Sequence, residues 1–266
     1  MAKNLFRKTV LITGASSGIG RSTAFEFART APNDLKLVLT ARRVDRLHQI
    51  SEDIKKEIGE GVRVCVKQLD VSKPEEVKGL VEDLPEEFRD IDILVNNAGF
   101  MSGVEQAPGI PQEVMNDVWA TNVIGVINMT QAILALFKKR EDGGRGDIIM
   151  LGSIAGREPY VGGSVYCSSK AAIRAFTDAL RKELINTRIR VMSVDPGQVY
   201  TEFNLIRYRG DQSKVDALYA GCDPLTPDDV AEVIVFATSR RENVVVADTL
   251  LFPSHQASAT HIHRRL

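Results

Sequence analysis

Cysteine is scarce in this 266-residue sequence: Cys65, Cys167 and Cys222 are widely spaced and form no Cys-x-x-Cys pair. That excludes a disulfide framework and a thiolate zinc site, and it makes a reducing, cytoplasmic setting the expected one. Charge of one sign is missing too. The 34 Lys and Arg against 35 Asp and Glu give a net charge of -1, so nothing electrostatic points to nucleic acid or an anionic membrane surface. A small molecule is the expected partner. Long hydrophobic runs are also absent, since the longest apolar stretch, 123–137, is broken by Asn128, Thr130 and Gln131. It falls short of the ~20 residues that a bilayer requires. The segment from Met1 to Lys8 has no apolar core, so no signal peptide is expected. His261 and His263 near the C-terminus read as a feature of the tail, and no metal site is expected. No Gly-, Ser- or Pro-rich linker divides the chain, so residues 1–266 read as one domain.

What is present is a repeat of short β-branched apolar runs with amphipathic stretches between them. Strands are expected at 9–13, 36–40, 63–69, 91–95, 147–151, 190–194 and 248–252, and helices at 18–29, 43–58, 75–83, 111–139, 164–184 and 228–239. This alternation predicts an α/β Rossmann fold, a doubly wound parallel seven-stranded sheet with helices on both faces. The helix at 111–139 is apolar around more of its circumference than one buried face requires, which points to subunit burial. Segment 199–227 reads as irregular. Lying past the sixth strand, at the end of the sheet where such folds bind ligands, it is expected to be a substrate lid.

The first strand runs into Thr13-Gly-Ala-Ser-Ser-Gly-Ile-Gly20 and then a helix. Gly14, Gly18 and Gly20 allow a tight turn and close approach of a pyrophosphate, while Ser16, Ser17 and Ile19 present backbone N-H groups at a helix N-terminus. A glycine cluster alone is weak evidence, but its place between first strand and first helix favours a dinucleotide. The second strand ends in Leu39-Thr-Ala-Arg-Arg43, which offers no carboxylate for an adenosine ribose. Arg42, and with it Arg43, suits a 2'-phosphate, so NADP is expected over NAD. For Arg43 a solvent-facing start to the next helix is the competing reading.

Tyr166 and Lys170 stand one helical turn apart and share a helix face. An ammonium beside a phenol lowers its pKa and suits it to acid/base chemistry. Ser153 falls just past the fifth strand, where its hydroxyl can bond a carbonyl oxygen. Cys167 between Tyr166 and Lys170 has no sequence partner and reads as packing.

The ordered set Thr13 to Gly20, Asn96-Asn-Ala-Gly99, Asn122, Ser153, Tyr166-x-x-x-Lys170, Pro196-Gly197 and Thr201 resembles the short-chain dehydrogenase/reductase superfamily across nearly the whole chain. The resemblance implies that Tyr166 is general acid in reduction and base in oxidation, and that Ser153 orients the reacting oxygen. It implies that Lys170 bonds the nicotinamide ribose and lowers the tyrosine pKa, and that Asn122 anchors a water-mediated relay to Lys170. Asp70 and Val71 would meet the adenine, the run Asn96 to Gly99, with Asn96, Ala98 and Gly99 as first candidates, the adenosine side, and Pro196, Gly197, Val199 and Thr201 the nicotinamide. In such enzymes the cofactor carries the hydride.

Within the superfamily, Leu151-Gly-Ser-Ile-Ala-Gly-Arg157, Lys182-Glu-Leu-Ile-Asn-Thr-Arg-Ile-Arg-Val191, Arg207-Tyr-Arg-Gly210 and Ala247-Asp-Thr-Leu-Leu-Phe-Pro-Ser-His-Gln-Ala-Ser258 resemble the NADP-dependent 3-hydroxy acid dehydrogenases, or serine 3-dehydrogenases, of fungi and bacteria. That resemblance implies oxidation of small 3-hydroxy acids such as L-serine and L-allo-threonine, and a homotetramer. Arg207 is the first candidate for the substrate carboxylate and Arg157 the second, each with a solvated surface charge as the plainer alternative. Tyr160, Gln198 and Phe203 are candidates for the pocket wall. A broad carbonyl reductase and a catalytically silent NADP-binding regulator are the competing functions. The complete group Asn122, Ser153, Tyr166 and Lys170 stands against the regulator.

Overall fold

The structure is a computed structural model that describes residues 2–141 and 143–265. Seven strands form it: β1 Thr9–Thr13, β2 Leu35–Ala41, β3 Val62–Gln68, β4 Ile93–Asn96, β5 Arg145–Leu151, β6 Arg188–Pro196 and β7 Asp248–Leu251. All pair in parallel, in the order β3-β2-β1-β4-β5-β6-β7. Because successive side chains of a strand point to opposite faces, β1 divides its apolar residues between two cores. Val10 and Ile12 join Phe27, Leu39, Ile54 and Ile234 on one face. Leu11 joins Leu94, Met129, Ile133, Ile148 and Ile173 on the other. A sheet buried on both faces reads as continuous hydrophobic runs, which is why its strands were legible. The chain reverses its winding between β1 and β4, and that reversal opens a crevice at the carboxyl ends of the strands.

The helices are α1 Ala2–Leu5, α2 Gly18–Thr30, α3 Val44–Ile58, α4 Pro74–Gly79, α5 Gln112–Trp119, α6 Val126–Phe137, α7 Ser164–Glu183, α8 Glu202–Arg207, α9 Gln212–Tyr219 and α10 Pro227–Thr238. Besides α1, which was not expected, the helices depart from the sequence expectation in three places. The helix expected at 75–83 ends at Gly79, and the chain continues in tight turns in which Leu80 N donates to Val77 O and Leu84 N to Val81 O. Glycine is a poor helix former, and that weakness coincides with the break. The helix expected at 111–139 is interrupted by a π-helical segment, Ala120–Gly125, between α5 and α6. Segment 199–227 is not irregular, since Thr201 caps α8 by accepting from Phe203 N and Asp211 caps α9 by accepting from Lys214 N. The start of α10 follows its sequence signal, with Pro227 in the first turn and a reciprocal capping box between Thr226 and Asp229.

The expected stretch 123–137 is part of a longer run, Gln112–Phe137, which by length and composition alone could cross a membrane, a test that the core helix of a soluble protein also passes. Packing accounts for part of that composition. Val118, Val123, Met129, Ile133 and Phe137 are buried within the protein, while Trp119 and Ile124 are exposed.

Arg190 on β6 and Asp147 on β5 form a buried bidentate pair, Nε to Oδ1 at 2.6 Å and Nη2 to Oδ2 at 2.5 Å. Burial pushes the carboxyl up and the guanidinium pulls it down. Arg190 also donates to Thr238 O and Val244 O at 2.9 Å, joining the sheet to the end of α10 and the chain beyond it. Removing one partner strands the other charge. Arg190→Ala is expected to cost about 3–5 kcal/mol in denaturant unfolding, and the double variant Arg190→Met with Asp147→Leu to cost much less.

Candidate active site

A cavity of about 960 Å³ occupies the crevice, running from Arg42, Arg43 and Asp70 past the glycine-rich turn to Ser153, Tyr166 and Lys170. Its floor is built by close backbone approach. Gly14 has φ 64°, and a Cβ there would stand 2.9 Å from Ala98 Cα. Asn97 ties the turn to the strand beside it, its Nδ2 donating to Thr13 O at 2.8 Å and Gly14 O at 3.1 Å. Thr13 Oγ1 accepts from the N-H groups of Asn97 and Ala98, both at 3.0 Å.

Gly14, Ser16, Ser17, Gly18, Ile19, Arg42, Arg43, Asp70, Val71, Ala98, Gly99, Pro196, Gly197, Val199 and Thr201 line the cavity as expected. Two expected cofactor residues do not. The side chain of Asn96 faces the helix layer, where its Nδ2 donates to Thr130 Oγ1 at 2.9 Å, and strand alternation leaves that wall to Asn97. Gly20 serves packing, because a Cβ there would lie 2.5 Å from Asn97 Nδ2 and 2.6 Å from Gly14 O. Asp70 Oδ1 accepts from the N-H and hydroxyl of Ser72. Arg42 is exposed and its side chain makes no hydrogen bond or ion pair among the described residues, while its backbone carbonyl accepts from Gln68 Nε2 at 3.3 Å. Arg43 is held in place: Nη2 donates to Ser17 Oγ at 2.7 Å and Ser16 Oγ at 3.2 Å, and Nη1 to Glu202 Oε2 at 2.9 Å.

At the inner end, β5 and α7 bring the expected catalytic residues together. The turn after β5 packs directly on α7, since a Cβ on Gly156 would lie 2.8 Å from the backbone carbonyl of Lys170. That contact sets Ser153 against Tyr166. Ser153 Oγ accepts from Ala155 N at 3.1 Å and is hydrogen-bonded to the Tyr166 phenol. Lys170 Nζ donates to Leu151 O at 2.8 Å and stands 5.8 Å from the Tyr166 ring centroid. Asn122 lies in the π segment, a geometry that recurs at functional sites. Its side chain is fully committed, accepting from Phe100 N and donating to Phe100 O and Ser169 Oγ.

The electrostatics differ from the expectation of a phenol lowered by lysine. Burial dominates and pushes the Tyr166 phenol well above its ordinary value; nearby Tyr160 adds to this, while the Ser153 hydrogen bond and the Arg207 charge oppose it. Burial also pushes Lys170 down to about 8, with the Asp195 carboxylate holding it up. The thiol of Cys167 is raised by burial, in keeping with a packing role.

Tyr160, Gln198, Phe203 and Arg207 line the cavity together with Tyr166. The Phe203 and Tyr166 ring centroids are 5.2 Å apart. Arg207 donates to Tyr160 Oη at 3.0 Å and Gly162 O at 3.1 Å, yet its Nε is buried without a partner, as is Gln198 Oε1. Arg157 is not a cavity residue. Its guanidinium is taken by Asp195 at 2.7 Å and by Asp248, which rules it out as the carboxylate donor expected second.

Within the expected run Asn96 to Gly99 it is Asn97 that lines the cavity in place of Asn96, and sequence reasoning missed the C-terminal segment. Gln256, Ala259, Thr260, Ile262 and Arg264 line the cavity. Gln256 Oε1 accepts from Gln198 N at 2.8 Å, and Arg264 Nη1 donates to Ala220 O at 2.7 Å. No motif announces this wall. Its one local signal is Gly197, where a Cβ would lie 2.3 Å from Gln256 Oε1.

Residues 8–209 match the family described as short chain dehydrogenase. An NADP-dependent 3-hydroxy acid dehydrogenase of Schizosaccharomyces pombe is 52% identical over 258 residues, covering 97% of each chain. Sulfoacetaldehyde reductase 2 of Chromohalobacter salexigens is 40% identical over 248 residues, covering 93% of this chain and 95% of that one. Among solved structures, the closed form of a serine dehydrogenase complexed with NADP+ superposes with a TM-score of 0.85 at 35% identity, covering 96% of this chain and 99% of that one.

Lys170 binds protons less readily in the fold than in the unfolded chain, so burial of its ammonium destabilises the protein below pH 8 and the cost fades as pH rises towards 10.5. Lys170→Met is therefore expected to unfold at higher denaturant at pH 7, by on the order of 1–2 kcal/mol. The gap should narrow above pH 8 when both proteins are titrated from pH 7 to 10.

Proposed function

This chain belongs to the short-chain dehydrogenase family, and we propose that it interconverts the 3-hydroxyl and 3-oxo forms of small 3-hydroxy acids, such as L-serine and L-allo-threonine, with NADP(H). The observation that carries the substrate class is Arg207, a cavity-wall residue on the Tyr166 side whose guanidinium has no carboxylate partner among the described residues. Its hydrogen bonds go to the neutral acceptors Tyr160 Oη and Gly162 O, and an anionic substrate group would supply the charge partner that a guanidinium binds most strongly. A 3-hydroxy acid places such an anion a short, fixed distance from the reacting carbon. The sulfonate named for the Chromohalobacter relative's substrate is an anion of the same reach. A bulky hydrophobic ketone, the substrate of a broad carbonyl reductase, would leave Arg207 unanswered.

The fit to NADP rests on the cradle of Gly14 against Ala98 and on the arginines that follow β2 in place of an acid. It is supported by the cofactor named for the fungal dehydrogenase and the NADP+ complex of the serine dehydrogenase. Bound NADP supplies the hydride acceptor for oxidation and the donor for reduction. Arg42 and Arg43 would hold the 2'-phosphate, Asp70, Val71, Ala98 and Gly99 the adenosine, and Pro196, Gly197, Val199 and Thr201 the nicotinamide.

Tyr166 then moves the proton at the substrate oxygen. Its raised pKa keeps the phenol protonated at neutral pH, which suits it to give that proton in reduction. For oxidation it must first lose it, and the Ser153 hydrogen bond and Arg207 charge both favour that. Ser153 Oγ bonds the reacting oxygen and fixes it beside the phenol. Lys170 orients the ribose and passes the proton onward. With the Asn122 amide committed to Phe100 and Ser169, its backbone carbonyl is what remains to hold a relay water.

The chain acts as one domain with 199–227 as substrate lid, in the cytoplasm, and as a homotetramer. Trp119 at 40% and Ile124 at 47% exposure are the apolar side chains on the Gln112–Phe137 helix that subunit contact would cover. The test is a substrate panel with purified protein and NADP+. Turnover of L-serine, L-allo-threonine or 3-hydroxypropanoate is expected, with Arg207→Leu raising KM for these acids by about 10- to 100-fold. Activity confined to bulky hydrophobic ketones would reject the reading.

A further inference from the structure

Glu202 is the first residue of α8, in the lid, yet its partners lie across the cofactor crevice. Its Oε2 accepts from Arg43 Nη1 at 2.9 Å and its Oε1 from Arg46 Nη1 at 2.6 Å. The same Arg43 reaches Ser16 and Ser17 in the glycine-rich turn through its other nitrogens. One guanidinium therefore spans the phosphate turn and the lid. Gly18 of the turn also faces Thr201, which caps α8, with a Cβ position 3.3 Å from Thr201 Cγ2. Burial alone would raise the Glu202 carboxyl, but the hydrogen bonds from Arg46 and Arg43 hold it below its ordinary value, so it is an anion at neutral pH.

We propose that Glu202 is a cofactor-selectivity residue: its carboxylate occupies Arg43 and Arg46 as an internal counter-anion, which the 2'-phosphate of NADP(H) displaces, releasing α8 from the phosphate turn. The inference rests on the reading of Arg43 as part of the 2'-phosphate site. Both ion pairs are about 40% exposed or more on each side, so they are weak enough for a phosphate dianion to break. NAD(H) carries no 2'-phosphate and leaves the clasp closed. Because α8 also carries Phe203 and Arg207, displacement of Glu202 at the adenosine end frees the element that presents the substrate wall at the other end. Glu202 thus competes with the 2'-phosphate alone and couples its arrival to release of α8, while NAD(H) binds without meeting that competition.

The experiment is equilibrium titration of wild type and Glu202→Gln with NADPH and with NADH, read by nicotinamide fluorescence, beside hydrogen exchange of residues 202–207 in wild type with and without adenosine 2',5'-bisphosphate. Removing the competing charge should tighten NADPH about 3- to 10-fold and change NADH less than about 2-fold. The bisphosphate, which has the phosphate but no nicotinamide, should speed exchange in 202–207, whereas adenosine 5'-monophosphate should not. An unchanged NADPH to NADH ratio in Glu202→Gln, weakened NADPH binding, or exchange indifferent to the bisphosphate overturns the clasp while leaving the cofactor reading intact. Wild type binding NADH as tightly as NADPH would overturn that reading and the clasp with it. The exchange experiment needs no variant, so it decides the matter even if Glu202→Gln folds poorly.

Discussion

A buried ammonium at the end of a parallel sheet is the constraint on which the site depends. Lys170 donates to Leu151 O at the last residue of β5, and burial has already pulled it down to about 8. To hold it there the protein needs α7 pressed against the turn after β5, which Gly156 permits, and an acidic neighbour in Asp195. The same contact sets Ser153 to bond the Tyr166 phenol. Asp195 in turn is fixed by Arg157 at 2.7 Å and approached by Arg174 at 3.4 Å, so the arginine that might have met substrate is spent on the scaffold. Stability is given up at this point for chemistry, a trade common at functional sites.

The cleft as a whole follows from topology. Parallel strands put all their carboxyl ends on one side, and the reversal between β1 and β4 opens room for a dinucleotide. Segment 199–227 and the C-terminal segment then supply a wall that the sheet cannot. Arg207, reaching Tyr160 and Gly162 from α8, joins that wall to the loop before α7. A cavity with a polar, arginine-bearing far end and an aromatic side in Phe203 and Tyr160 suits a small acid better than a large ketone.

Much of this was legible in the sequence because strands buried on both faces write themselves as apolar runs, and because the glycine-rich turn, the Tyr166 and Lys170 spacing and Ser153 carry their chemistry locally. The helix expected at 228–239, which Thr226 caps and Pro227 opens, was read nearly to the residue. What escaped were features set by tertiary contact. The π segment at Ala120–Gly125 leaves no local signature. Asn96 and Asn97 are adjacent amides, and only the end of the strand decides which faces the cleft. The short helices α8 and α9 owe their form to single capping residues within an otherwise loop-like composition. The high pKa of Tyr166 was invisible because burial, not the neighbouring lysine, governs it.

The central claim is that Tyr166 moves the proton at the 3-hydroxyl while other residues hold the cofactor. Its most direct measurement pairs NADPH titration with steady-state turnover of L-serine and 3-hydroxypropanoate for Tyr166→Phe, which removes one oxygen and little else. The account predicts NADPH affinity within about 3-fold of wild type and turnover down by at least about 10²-fold. Turnover near the wild-type level would contradict it.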